Sequence, residues 1–154
     1  PDKSKFVVNV GGQNIAVQKV GFKRRPLYAP EKRDLRIANA IYLVLGTQVQ
    51  AGQLVQVTNP DGTLWQSPTE YSATVDPLRY SPAIHVNQAG YMPDYSKKAM
   101  VGYYLGPLGE MEISARAFQL VDSKTGQPVF NGVLTARADI GFSYAPTPYQ
   151  QVFE

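Results

Sequence analysis

AFQLVDSKTGQPVFNGVL, residues 117–134, decides the fold class of this chain. Ala117-Phe118-Gln119-Leu120-Val121 alternates, with Phe118 and Leu120 on one face of an extended strand. Asp122-Ser123-Lys124-Thr125-Gly126 is a tight loop with glycine at the left-handed position, and Asp122 is placed to bond the loop's own amides. Pro128 to Leu134 then returns antiparallel. The stretch is a β-hairpin, and a chain built of such units is an antiparallel β-protein.

The same style runs outward in both directions. Ile84 to Asn87 is expected as a strand, followed by a Gly90-Tyr91-Met92-Pro93 corner, a strand over Lys98–Leu105 and a turn at 106–109. In the first half, Phe6–Val10 and Ile15–Val20 flank the Gly11-Gly12 turn, a pair that accepts positive φ without penalty. Ala40–Leu45 and Leu54–Thr58 are further strands. Asn59-Pro60-Asp61-Gly62 is a turn, Leu64 and Trp65 open another short strand, and Tyr71–Val75 follows. Residues 22–36 hold most of a basic cluster (Lys19, Lys23, Arg24, Arg25, Lys32, Arg33, Arg36) and are interrupted by Pro26 and Pro30, so a long ordered loop is expected there. Strands recur roughly every ten residues with turn signals between, and no stretch sustains a helical period. The fold class is therefore all-β, an antiparallel sandwich. The proline-rich connector at 76–83 argues for two small modules in tandem, 1–80 and 84–154.

Composition agrees. Of 154 residues, 44% are apolar and only 18% charged, with 12 prolines and 13 glycines, which suits a loop-rich β-protein. A net charge of +3 is too small to argue for nucleic acid. No apolar run reaches the ~18 residues that span a bilayer. The absence of cysteine removes disulfides, thiolate catalysis and thiolate metal sites.

A catalytic set is equally hard to find. His85 is the single histidine and lies in a strand, where packing explains it, and no second His or Cys could build a zinc site with it. There is no nucleophile elbow and no phosphate loop. The carboxylates are scattered through turns, with no spacing that suggests a facing pair for glycoside hydrolysis. No cofactor and no metal is expected. The aromatics are the better candidates: Trp65, Tyr71, Tyr144 and Tyr149 could stack on the apolar faces of sugar rings while amides bond the hydroxyls, and Trp65 is the foremost of them. The same rings would serve as core and corner residues of a sandwich. The basic segment is a solvated loop or a docking surface in which Arg24 and Arg25 meet carboxylates.

Three motifs carry a resemblance. IHVNQAGYMP (84–93), SKKAMV (96–101) and FQLVDSKTGQPVFNGVL (118–134) occur in that order, and the second half is similar to the N-terminal immunoglobulin-like module of family nine glycoside hydrolases, the cellulases and their relatives. Ala89 stands where that family usually has a larger apolar residue. The resemblance implies an immunoglobulin-like sandwich that is not itself an enzyme, supporting a catalytic barrel of the same parent chain that lies beyond Glu154. Asn87, Gln88, Gly90 and Tyr91 would then be a structural fastening at a strand corner. It implies a secreted or periplasmic bacterial protein; no nucleic-acid or membrane partner is expected, from the small net charge and the short apolar runs. The family's Asp-Phe-Ser segment and last strand have no counterpart here, so the module is expected to be truncated. The open edge would be met by a strand from the first half, by a dimer, or by disorder after about Ala145. The alternative function is a carbohydrate-binding module recognising plant cell-wall glucan or xylan through surface aromatics.

Overall fold

The computed structural model describes residues 1–27, 36–137 and 152–154. Among them the chain is all-β and antiparallel, with two short 3-10 turns and no α-helix. It divides into two compact units, residues 1–80 with Leu105–Leu108, and residues 81–104 with 109–154.

The first unit is built on a four-stranded sheet in the order β2-β1-β5-β6, from β1 (Val7–Val10), β2 (Gln13–Ile15), β5 (Leu54–Thr58) and β6 (Glu70–Thr74). Gly11 and Gly12, at φ 57° and 90°, form the β1–β2 turn, a pair of angles that a side chain would resist. Register sorts the side chains by chemistry. Ile15, Val8, Val57 and Tyr71 stand opposite one another across the four strands, and Gln13, Val10, Val55 and Ala73 make a second row on the same face. The other face carries Asn14, Asn9, Gln56 and Ser72, with an Asn9–Asn14 amide bond of 3.1 Å and a Gln56–Glu70 bond of 2.9 Å. Val8 is 1% exposed and Phe6 is buried beside it at the sheet's start. Burying one such valine contributes about 2 kcal/mol.

The basic segment departs from expectation. β3 (Val17–Pro26) continues through Phe22, Lys23, Arg24 and Arg25 and pairs along its length with β4 (Ile37–Leu45). A two-stranded ribbon exposes enough surface for Lys and Arg to stay hydrated, and Pro26 is tolerated because it occupies the last pair, opposite Ile37. The tip of this hairpin lies outside the described residues. Leu64 and Trp65 likewise form no strand; a side-chain anchor holds them in a loop.

The second unit has shorter ladders. β7 (Ile84–His85) pairs with β8 (Met100–Val101), both shorter than the alternation suggests. Beyond β8, residues 152–154 occupy the edge: Phe153 bridges Val101 on one side and Ala136 on the other, with backbone bonds of 2.7–3.0 Å reaching Thr135 and Arg137 as well. Phe153 is buried, under the Arg116 guanidinium at 4.5 Å. β9 (Ala117–Val121) and β10 (Pro128–Val133) form the expected hairpin as a sheet of their own. Asp122 Oδ1 accepts from the amides of Lys124 and Thr125 at 2.9 and 2.8 Å, closing its loop.

Candidate functional site

In the first unit the site begins at Asn59, a buried polar side chain, 3% exposed. Its Nδ2 donates to Lys5 O and to Asp61 Oδ1, both at 2.7 Å, and its Oδ1 accepts from Leu64 N at 2.7 Å and Trp65 N at 3.5 Å. One amide thus joins the strand entry to the loop that presents Trp65, and its burial is matched by bonds. Asp61 completes the turn, accepting from Thr63 N and Oγ1 and pairing with Lys5 Nζ at 2.5 Å. The Lys5 ammonium first, then the Thr63 bonds, hold the Asp61 carboxyl well below the usual carboxylate range.

Trp65 is fixed from three directions. Its indole Nε1 donates to Thr69 O at 3.0 Å, its ring lies 5.9 Å from Phe6, and it meets Tyr71 edge-on at 5.2 Å and 82°. Tyr71 stands on the edge strand β6 and is 59% exposed. Beside these rings lies a depression of about 430 Å³. Asn39, Ile41 and Leu43 of β4 form one wall, and Phe6, Val57 and Tyr71 the other, with Leu64 and Trp65 closing it. Asn39 Oδ1 accepts from Arg24 Nε at 2.8 Å, and the Asn39 Nδ2 is a hydrogen-bond donor on this rim. Arg24 also lies 5.7 Å over the Phe22 ring.

Of the four aromatic candidates, Trp65 and Tyr71 come together, while Tyr144 and Tyr149 lie outside the described residues. Phe6, Asn39 and the β4 aliphatics had no signal as site residues in the sequence, because their membership depends on β4 folding beside the four-stranded sheet. Asn59 had one, an Asn opening a Pro-Asp-Gly turn directly before an apolar pair.

The second unit holds the Asn87 corner. Asn87 Nδ2 donates to Gly90 O at 2.7 Å, its Oδ1 accepts from Ala89 N at 3.0 Å, and its own backbone N–H donates to the Tyr91 hydroxyl at 3.0 Å. The Tyr91 hydroxyl in turn donates to Lys98 O, carrying the corner across to the segment leading into β8. Gln88 is exposed and takes no part in these bonds. His85 Nε2 lies 3.1 Å from Gly102 O, a backbone tie across the β7–β8 pair. On the β9–β10 hairpin, Leu120 stands opposite Phe130, and the Phe118 ring, 6.0 Å from Phe130, lies across Gly132. The reverse face holds a Gln119–Asn131 amide pair at 2.8 Å. Among the described residues no group of His, Asp and Glu is placed to hold a metal ion, and no helix is long and apolar enough to cross a membrane.

Residues 79–148 match the family model described as the cellulase N-terminal ig-like domain. The matched stretch contains the Asn87 corner and the β9–β10 hairpin, and the antiparallel all-β build agrees with an immunoglobulin-like sandwich. It begins beyond Trp65 and Tyr71. No curated protein and no solved structure matches the chain.

Proposed function

We propose that this chain, whose residues 79–148 match the cellulase N-terminal ig-like domain model, is a non-catalytic accessory region of a secreted, polysaccharide-degrading glycoside hydrolase, and that it packs against a catalytic domain of the same polypeptide. The observation that carries the reading is the β9–β10 hairpin. Two strands alone are marginal in water, and this pair leaves Leu120 53% and Phe130 54% exposed on the face that also carries Phe118, while Val133 is exposed on the other face beside the Gln119–Asn131 amide pair. Large apolar side chains left exposed together in this way mark a surface that a neighbour covers. In this reading the cover is a catalytic domain of the parent polypeptide.

The test adds the chain to a cellulase catalytic domain stripped of its own N-terminal ig-like domain. The expected result is slower thermal inactivation of the catalytic domain, lost with the Leu120→Ser/Phe130→Ser variant. No protection by the unaltered chain overturns the reading. On its own the chain is expected to release no reducing sugar from soluble cellulose.

A second reading rests on a separate observation, the meeting of Trp65 and Tyr71 at one depression in the first unit. There the chain binds plant polysaccharide, glucan or xylan, and holds the enzyme near its substrate. Retardation in gels containing soluble glucan or xylan tests it.

A further inference from the structure

We infer that the depression beside Tyr71 is a subsite for a β-linked, all-equatorial pyranose chain, of the gluco or xylo kind, and that it discriminates against sugars with an axial hydroxyl. The inference rests on the polysaccharide-binding reading and adds to it the site, the side chains and the stereochemistry.

The reasoning starts from where the polar atoms are. Ile41, Leu43 and Val57 line the depression with no hydrogen-bonding side-chain group among them, and Leu64 extends that surface. The polar side-chain groups of the lining are the Asn39 amide, the Tyr71 hydroxyl and the Trp65 indole N–H, and the last is already bonded to Thr69 O. An all-equatorial pyranose has the complementary distribution: axial C–H bonds make both faces apolar, and every hydroxyl projects from the rim. One such ring can lie with a face on Tyr71, the exposed ring of the aromatic group, and direct a rim hydroxyl to Asn39 Nδ2. Trp65 braces Tyr71 edge-on and is itself pinned by Asn59 and Thr69, so the platform is set before a ligand arrives. The volume, about 430 Å³, falls in the ~300–1,000 Å³ range of ligand sites. An axial hydroxyl, as in a manno or galacto unit, would point at the aliphatic wall and lose its water without gaining a partner, which weakens binding by about tenfold or more.

Trp65 is the chain's only tryptophan, so its emission reports on this site alone. The experiment titrates the full chain with cellohexaose, xylohexaose and mannohexaose, following Trp65 emission, with migration in glucan-containing gels as a second readout. The gluco and xylo oligomers are expected to bind at least about tenfold more tightly than the manno oligomer. Tyr71→Ala, at an exposed edge position, should abolish retardation, and Asn39→Ala should weaken it several-fold. Tyr80→Ala, which removes an 81% exposed ring that does not line the depression, should leave it unchanged. Binding that survives Tyr71→Ala and Asn39→Ala overturns the site while leaving the polysaccharide-binding reading standing. Equal affinity for the manno oligomer overturns the stereochemical claim. No binding to any oligomer overturns both the inference and the reading it rests on.

Discussion

Among the described residues, the first unit is ordered by long backbone ladders, while in the second unit the ladders are shorter and side-chain bonds fix the corners. The four-stranded sheet of the first unit gathers Val8, Val10, Val55 and Val57 on one face and Asn9, Asn14 and Gln56 on the other, because period-2 alternation in paired strands leaves each side chain one face to occupy. The second unit has two-residue strands at β7 and β8, and their short ladder is supplemented by an asparagine, a tyrosine hydroxyl and a histidine bonded to backbone groups. The first pattern yields faces, and therefore a lined depression. The second yields fixed corners around a hairpin whose apolar side is left outward, which suits a domain completed by its neighbour.

Substitutions can break this contrast, and the largest effect is expected at Gly106. It sits at φ 66°, and a Cβ there would run into the Phe22 carbonyl of β3. Gly106→Ala is expected to cost about 3 kcal/mol, from the left-handed backbone and the overlap together. Urea unfolding followed at Trp65 should show the loss, and hydrogen exchange should place it in the first unit. A loss spread evenly over both units would contradict a first unit with its own core. Asn59→Ala comes next, at about 2–3 kcal/mol, since it strips partners from Lys5 O and Leu64 N near a buried position. It should also shift Trp65 emission toward that of a solvated indole. Tyr91→Phe sharpens the other side of the comparison: losing the hydroxyl between Asn87 N and Lys98 O should cost about 1 kcal/mol and speed exchange at Asn87 without touching Trp65 emission.

Acid treats the two units alike. Asp61 is held low by the Lys5 ammonium and then the Thr63 bonds, and Asp122 by the amides of Thr125 and Lys124 and the Thr125 hydroxyl. Both carboxyls are lower in the folded chain than in the unfolded one, where a value of about 3.9 applies. Each therefore stabilises the fold above that value, and the contribution fades as the pH falls below about 4 toward the folded-state value. Both groups face solvent, so the effect is small and screened by salt. Urea midpoints at pH 3 and pH 6 should differ less in Asp61→Asn and Asp122→Ala than in the unaltered chain; unchanged pH dependence would show these turns contribute nothing to acid sensitivity.

How much of this was legible depended on whether a residue's partner was local. The 117–134 hairpin could be placed to the residue at β9 because its strand alternates and its loop bonds to itself. The Gly11-Gly12 turn was equally plain. Residues 22–26 defeated local reading: basic side chains and a proline suggest a loop, and only β4 alongside makes them a strand. Ile84–Asn87 alternates over four residues, yet Asn87 turns its amide to Gly90 and Ala89 and ends the strand at His85. At the candidate site, Trp65 and Tyr71 were conspicuous by type, while Asn39 and the aliphatic wall arrive from a strand some thirty residues away in sequence.

If a catalytic domain covers the β9–β10 face, amide hydrogen exchange over residues 117–134 will register the cover. Exchange is measured in the chain alone and in the chain joined to, or mixed with, a cellulase catalytic domain that lacks its own N-terminal ig-like domain. The account predicts slowed exchange at Phe118–Leu120 and at Phe130–Gly132 when the catalytic domain is present. Identical exchange in the two samples would contradict it.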